Sequence, residues 1–163
     1  MAQIQHEPVT GREAITDSSQ PLAGLSQFYR ALNNRDMALM QRNWDASDHA
    51  VMDNPLGGIK RGWSEIRSVY ERLFASAGTY SFEFYDYTLQ HYGEIFIAIG
   101  RERGQLNPKG GTALDGTALN LAIRTTRVFR LADGVWRQIH HHGSIDDPEM
   151  LARYQQAVLQ AVA

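Results

Sequence analysis

The spacing of the hydrophobic residues changes once along the chain, near Gly78. Before that point hydrophobic positions recur about every 3.6 residues, which predicts amphipathic helices. These predicted helices cover residues 21–34, 36–44 and 62–76. A short run of strand-forming residues, 49–54, lies between the second and third helices and ends before a proline. The first half of the domain is therefore predicted to be mainly helical.

After Gly78 hydrophobic and polar residues alternate, which is typical of strands with one buried face. The predicted strands cover residues 80–92, 94–106, 118–131 and 135–144. Short turns and a glycine-rich loop, 107–116, join them, and this loop is a candidate cover for a pocket mouth. A capped helix is predicted to begin at Pro148. Helices followed by a strand meander predict an α+β fold, with a curved antiparallel sheet wrapped around N-terminal helices plus a C-terminal helix.

Length and charge restrict the class of protein. The 163 residues suit one domain, which we place at 21–163 after a flexible N-terminal tail at 1–20. A net charge of -2 gives no electrostatic basis for binding nucleic acid or a membrane surface. The chain has no cysteine, which excludes disulfides and thiolate metal sites. No signal peptide or long apolar run is recognisable, so we expect a soluble, cytoplasmic protein whose partner is a small molecule or a protein.

Two arginines share strand faces with apolar residues. If every strand alternates regularly, Arg101 lies with Ile95, Ile97 and Ile99, and Arg127 lies with Ile123. We therefore predict that both guanidinium groups face the core. A buried guanidinium keeps its charge and needs a partner, which is either a carboxylate of the protein or an anionic ligand. Internal carboxylates saturating both arginines would argue against the ligand.

Three consecutive histidines occupy the last predicted strand. Regular alternation places His140 and His142 on the face that carries Trp136, and His141 on the opposite, inner face. The three rings then cannot converge on one ion, and a catalytic zinc usually needs three protein ligands. We predict no metal site and no cofactor.

Three segments carry a resemblance to a known superfamily. They read FYRALNNRDMALM, AVMDNPLGGIKRGWSEIRSVYERLF and TTRVFRLADGVWRQIHHHGS. In this order they resemble the nuclear-transport-factor-2-like superfamily, in its SnoaL-like branch, over residues 21–160. The resemblance implies a cone-shaped fold with a central pocket, but members of this fold perform many unrelated functions.

The second segment is similar to ketosteroid isomerase but lacks the residues that this enzyme uses. The position of its general base, before a proline, holds Asn54 here, and the position of its oxyanion-hole tyrosine holds Phe28, with Tyr29 adjacent. The second oxyanion-hole acid would fall at 125–127, where no carboxylate occurs. An amide cannot accept and return a proton at neutral pH, so the resemblance does not imply isomerase chemistry.

The third segment is similar to the association domain of calcium/calmodulin-dependent protein kinase II. In that family, arginines at the positions of Arg101 and Arg127 line the pocket and can hold a carboxylate. A third family arginine matches Gly143, so an anion site would be differently completed here. His141 replaces an aromatic residue of the family and is the candidate substitute.

The first functional hypothesis is a homodimeric domain whose pocket binds a small anionic or polar-aromatic molecule. The candidate ligand contacts are Arg101, Arg127, His141, Asn54, Trp44, Trp63, Tyr70 and Tyr85. The chain gives no decisive sign of catalysis, and the candidate catalytic residues stay unassigned.

Two alternatives remain open. One is a lyase, isomerase or hydrolase using the same pocket, with His141, Asp45 or Asp53 as base, although alternation turns Asp53 away from Asn54. Asp45, Asp48 and His49 could instead form an acid/base group at the pocket mouth. The other is an assembly module that pairs two chains through the outer face of the sheet. That face would comprise Trp136, His140, His142, Ala122 and Val128.

Overall fold

Four helices and six strands make up the part of the chain that the computed structural model describes, residues 3–76, 79–107, 119–145 and 147–159. The helices are α1 (Pro21–Asn34), α2 (Met37–Asn43), α3 (Gly62–Ala75) and α4 (Pro148–Leu159). The strands are β1 (Val51–Asp53), β2 (Ile59–Arg61), β3 (Thr79–Tyr92), β4 (Ile95–Asn107), β5 (Leu119–Ala132) and β6 (Val135–Ile145). The predicted helices and long strands are therefore confirmed, with bounds that differ by at most one residue.

Local sequence explains where the first two helices begin and end. Pro21 occupies the first turn of α1, where its missing N–H costs no hydrogen bond, and Arg35 ends the helix in the left-handed conformation. The Asp36 side chain then caps α2 by accepting a hydrogen bond from the Leu39 N–H at 2.8 Å. The tight turn between the helices follows from these two residues.

The six strands form one sheet in the order β2-β1-β6-β5-β4-β3. Strands β3 to β6 make the predicted antiparallel meander, and β1 extends it by pairing in parallel with β6. Strand β2 was not predicted, because three residues flanked by glycines are too short to show alternation. Helix α1 packs on β3 and β6, and α4 packs on α3, β5 and β6, so the helices cover one face of the sheet.

The segment before α1 lies against the domain. Gln5 and Val9 pair with Tyr87 and Phe84 of β3, and the Val9 side chain is buried. Near the end of the segment, the Ser19 carbonyl accepts a hydrogen bond from the Trp136 indole N–H at 2.6 Å. These contacts hold the segment against β3 and β6. The flexibility expected for residues 1–20 stays a prediction.

A β-bulge interrupts the alternation of β6. Val128 of β5 pairs with His140, but the next residue, Phe129, pairs with Gln138, so Ile139 is an extra residue in β6. Residues on either side of the bulge consequently change faces. Trp136 is 1% exposed and packs in the core, and the prediction that it shares the outer face with His140 is therefore wrong.

Strand β4 is regular, but its inner face is the opposite of the predicted one. Phe96, Ala98 and Glu102 are buried, whereas Arg101 is on the outer face with 51% of its side chain exposed. The predictions that Arg101 and the isoleucines beside it face the core are wrong. Residues of β3 crowd the inner face of β4. A Cβ on Gly100 would meet the Tyr87 Cβ at 2.5 Å and the Phe84 ring at 2.9 Å, so this position on the inner face needs a glycine rather than a larger residue.

The glycine-rich loop predicted at 107–116 lies outside the described residues beyond Asn107. Among the helices that the structure describes, none combines the length and hydrophobicity needed to span a membrane.

Candidate functional site

An internal cavity of about 50 Å³ lies between the inner face of the sheet and helices α1, α3 and α4. Most of its wall is apolar, and the polar side chains are concentrated in a few residues. The lining residues are Phe28, Leu32, Met52, Asn54, Pro55, Leu56, Val69, Tyr70, Leu73, Phe82, Glu102, Ile123, Arg127, His141 and Tyr154.

A buried ion pair forms the most polar part of the wall. Arg127 on β5 is 1% exposed, and its Nη2 lies 2.5 Å from Oε1 of Glu102 on β4. The same carboxylate oxygen accepts a hydrogen bond from the Tyr29 hydroxyl, and Nη1 of the arginine donates to Gln138 Oε1 at 2.9 Å. The guanidinium also stacks 3.6 Å from the centre of the Phe28 ring.

Arg127 keeps its charge because a carboxylate lies beside it. Burial by itself would lower the pKa of Arg127, but the adjacent Glu102 carboxylate raises that pKa above its ordinary value. Burial likewise raises the pKa of Tyr29, so its hydroxyl is protonated and available as a donor to Glu102. Arg127 is thus in the core as predicted, and a carboxylate of the protein is its partner.

His141 supplies a neutral imidazole to the same wall. It faces inward, as alternation predicted, and its Nε2 lies 2.8 Å from the Thr125 hydroxyl. Its Nδ1 is buried and has no hydrogen-bond partner among the described residues. Burial lowers the pKa of His141 well below its usual value, and the positive charge of Arg127 lowers it further, so the ring is uncharged at neutral pH.

Asn54 and Tyr70 complete the polar part of the wall. The Asn54 carbonyl oxygen accepts from the Leu56 N–H at 3.0 Å, while its amide nitrogen has only a 3.5 Å contact to the Met52 sulfur. Burial raises the pKa of Tyr70 to about 12, so the phenol is protonated. Both residues therefore have hydrogen-bond donors in the same cavity wall as His141.

The structure brings together half of the predicted ligand contacts. Arg127, His141, Asn54 and Tyr70 line the cavity. The other predicted contacts, Arg101, Tyr85, Trp44 and Trp63, do not line it.

Arg101 and Tyr85 lie together on the outer face of the sheet. Arg101 makes a 3.4 Å ion pair with Asp86, and Tyr85 packs under the guanidinium of Arg103. Trp44 is fully buried in the core, and Trp63 packs against the core. Arg101 and Arg127 are therefore on opposite faces of the sheet, and each is paired with a carboxylate of the protein, which argues against an anion bound between them.

Glu102, Tyr29 and Gln138 belong to the site but were not predicted. Glu102 was missed because the faces of β4 were assigned in reverse, and Gln138 because the bulge in β6 was not recognised. One available signal was the shared parity of Gly100 and Gly104 with Phe96, which indicates a face crowded by rings from the neighbouring strand.

The acidic candidates lie outside the cavity. Asp45 is buried in a 2.6 Å ion pair with Arg130, and Asp53 is on the outer face, 3.9 Å from His142. Asp48 and His49 are exposed. Among the residues that the structure describes, no group of three or more histidine and acidic side chains has a metal-binding arrangement.

Comparison with known proteins identifies the family. A model of the SnoaL-like domain matches residues 22–148 of the chain. No curated protein sequence matches the chain.

Solved structures share the fold. A Streptomyces avermitilis protein proposed to be a dehydratase of the nuclear-transport-factor-2-like family is 19% identical, with a TM-score of 0.70 over 80% of this chain and 97% of that chain. A Thiobacillus denitrificans protein proposed to be a calcium/calmodulin-dependent protein kinase type II association domain is 26% identical, with a TM-score of 0.66 over 78% of this chain and 96% of that chain. A ketosteroid isomerase-like protein from Erwinia carotovora atroseptica is 19% identical, with a TM-score of 0.64 over 82% and 98%.

The matched segment includes α1, the whole sheet and most of the cavity wall, and the solved structures agree with it in architecture. The chain belongs to the SnoaL-like domain family, within the nuclear-transport-factor-2-like superfamily.

Proposed function

We propose that this domain binds a small, uncharged, polar-aromatic molecule in its internal cavity. The supporting observation is the cavity wall, in which apolar and aromatic side chains surround a few polar groups. A largely apolar, concave site with a small number of directed polar atoms is typical of small-molecule binding. The unpartnered Nδ1 of His141 is the atom in this wall with most to gain from a ligand.

The charges favour an uncharged ligand over an anionic one. Arg127 is already neutralised by Glu102 at 2.5 Å, and burying a further negative charge beside this pair would lack a compensating cation. Arg101, the second cation expected at the site, lies on the outer face. An anionic ligand, which the sequence also allowed, is therefore expected to bind more weakly and serves as the comparison compound in the binding experiment.

The size of the cavity requires a movement on binding. Ligand sites usually enclose roughly 300–1,000 Å³, whereas this cavity encloses about 50 Å³. Tyr154 of α4 lines the cavity, and Gln155 of the same helix donates to the Pro55 carbonyl at 3.2 Å. We propose that displacement of α4, which carries Tyr154, enlarges the site.

Thermal-shift and calorimetric binding measurements with phenol, benzoate and cyclohexane test the proposal. Phenol should raise the unfolding temperature of the wild type, with weaker effects from the other two compounds. Val69→Phe, which adds a ring inside the cavity, should abolish the shift, whereas Val135→Phe, outside the cavity, should preserve it. Absence of binding by every compound, or equal shifts in both variants, would overturn the proposal.

A lyase, isomerase or hydrolase reaction in the same cavity is the second candidate function. The observation that favours it is the uncharged imidazole of His141, whose Nδ1 has no partner and can accept a proton. Asn54 and Phe28 both line the cavity, and neither can replace the acid and base of a ketosteroid isomerase. Turnover of a cavity ligand by the wild type, lost in His141→Phe, would establish catalysis.

We also propose that two chains pair through the outer face of the sheet, as a homodimer or as a larger assembly module. Ile97, Val128 and His140 are aligned across three adjacent strands on this face. Beside them Ile99 is 41% exposed, which is unusual for a large aliphatic side chain in the middle of a sheet. The expected cytoplasmic location stays a prediction from the sequence.

A further inference from the structure

The hydrogen bonds of Thr125 determine where the proton of His141 resides. The Thr125 oxygen lies 2.9 Å from the carbonyl oxygen of His142 and 2.8 Å from Nε2 of His141. A carbonyl oxygen can only accept, so the single hydroxyl proton of Thr125 is directed to it. The threonine oxygen must then accept from the imidazole, and this requires a proton on Nε2 of His141.

The opposite tautomer would leave these contacts unsatisfied. With the proton on Nδ1, the threonine hydroxyl would have to donate to Nε2, and its oxygen would face the His142 carbonyl at 2.9 Å with no proton between them. Two acceptors at that distance repel each other. Thr125 is buried, so water does not relieve the conflict.

The Nε2–H tautomer leaves an unshared electron pair on Nδ1. This atom is buried and receives no hydrogen bond from any described residue. A buried acceptor without a donor loses its hydration and gains nothing in return. Protonation is not an alternative at neutral pH, since burial and the nearby Arg127 hold the ring neutral.

Resting on the proposed function, we infer that the ligand carries a hydroxyl group, as a phenol does, and that this group donates a hydrogen bond to Nδ1 of His141. His141 lines the cavity, and Nδ1 is its one ring nitrogen not already engaged by Thr125. The ion pair of Glu102 and Arg127 contributes no net charge that would select an ion. The apolar walls accommodate the ring of the ligand, and Nδ1 selects its hydroxyl.

Thr125 acts as a positioning residue in this arrangement. It does not line the cavity, but its hydroxyl selects the tautomer that presents an acceptor to the ligand. Thr125→Val removes the hydroxyl at nearly constant volume and should allow both tautomers. Thr125→Ser retains the hydroxyl and should retain the tautomer.

Nitrogen-15 NMR of histidine-labelled protein without ligand tests the tautomer. The signal of His141, assigned by its loss in His141→Phe, should show a protonated Nε2 and an unprotonated Nδ1 in the wild type and Thr125→Ser. Thr125→Val should shift both nitrogen resonances towards a mixture. A proton on Nδ1 in the wild type would overturn the inference whatever the ligand experiments give.

Phenol and its methyl ether, anisole, test the ligand chemistry, because anisole has the same ring without a donor. Phenol should bind the wild type at least tenfold more tightly than anisole, and His141→Phe should remove this preference. His142→Phe, on the outer face, serves as the matched control and should keep it. Equal binding of the two compounds would overturn only this inference, whereas binding of neither would overturn the proposed function and the inference that rests on it.

Discussion

At the scale of single residues, Arg127 and Glu102 form the buried ion pair of the interior. Each would be costly to bury alone, and together they leave the cavity without net charge. Tyr29 donates a second hydrogen bond to Oε1 of Glu102, and Nη1 of Arg127 donates to Gln138. Their arrangement makes the pair sensitive to the loss of either member.

We expect Glu102→Gln to destabilise the protein by about 3–5 kcal/mol, since it leaves the buried charge of Arg127 uncompensated. The double variant Glu102→Gln/Arg127→Met should recover much of the loss, because no buried charge remains. Urea denaturation monitored by circular dichroism would measure both free energies of unfolding.

The matched control for this substitution is Glu83→Gln. Glu83 pairs with Arg103 on the outer face, where water screens the charges and a pair contributes at most about 1 kcal/mol. If Glu102→Gln were no more destabilising than Glu83→Gln, the buried pair would not have the role assigned to it.

His141 should make the protein less stable in mild acid. Its unfolded-state pKa is near 6.5, and its folded-state pKa is lowered well below that by burial and then by Arg127, with smaller contributions from His140 and His142. Between the two pKa values the unfolded chain binds a proton that the folded protein excludes. The free energy of unfolding should therefore fall by about 1.4 kcal/mol for each unit of pH below 6.5, and above that pH the contribution vanishes.

Chemical denaturation of the wild type and His141→Gln at several pH values between 5 and 8 would isolate this effect. The negative carboxylate of Glu102, which lines the same cavity, is present in both proteins and cancels in the comparison. His49→Gln, at an exposed histidine, should keep the wild-type slope. The same slope in all three proteins would show that folding does not lower the pKa of His141.

Strands β4 and β6 show what alternation can and cannot predict at the scale of elements. Alternation gave the bounds of both strands, because the period of two is a property of the extended backbone. It failed to identify the inner face of β4, since both faces carry apolar residues and the isoleucines lie on the outer one. In β6 it gave the correct faces after Ile139 but the wrong faces before it, because a polar and apolar pattern does not reveal an inserted residue.

Gly104 provides a test of the inner face of β4. A Cβ at this position would overlap the ring of Phe82, so Gly104→Ala should cost about 1–3 kcal/mol through overpacking. Phe82→Leu should relieve the overlap, and the double variant should be less destabilised than the sum of the single changes. Additive losses in a double-mutant cycle, measured by denaturation, would contradict the packing described here.

At the scale of the whole molecule, the outer face of the sheet is the surface through which we propose that two chains pair. If two chains pair there, Ile99→Lys should weaken the dimer at least tenfold, because it places a charge among the aligned apolar residues. Analytical ultracentrifugation at micromolar concentration would measure the dissociation constant.

Gln105→Lys is the control, since Gln105 is exposed on the same face of β4, six residues or about 20 Å from Ile99. It should leave the dimer intact. A wild-type chain that sediments as a monomer would contradict pairing through this face.

The whole fold was more predictable than the site. Helix periods, the proline and aspartate at helix starts and the strand meander are local properties that the chain displays directly. The partnership of Glu102 with Arg127 depends on which faces of two strands meet, and the inward position of Gln138 depends on one inserted residue. The resemblance to the superfamily predicted the cone, but it also carried over Arg101, which this chain places outside.

The bulge at Ile139 also affects how residues can be compared between this chain and its relatives. A relative without the extra residue must be aligned with a gap in β6, and at 26% identity or less the sequence does not dictate the side of Ile139 on which the gap belongs. Placing the gap beyond His141 rather than at Ile139 shifts the counterpart of His141 by one residue, so that an outward residue replaces an inward one. Equivalent functional residues in this strand should therefore be assigned by superposing structures rather than by aligning sequences.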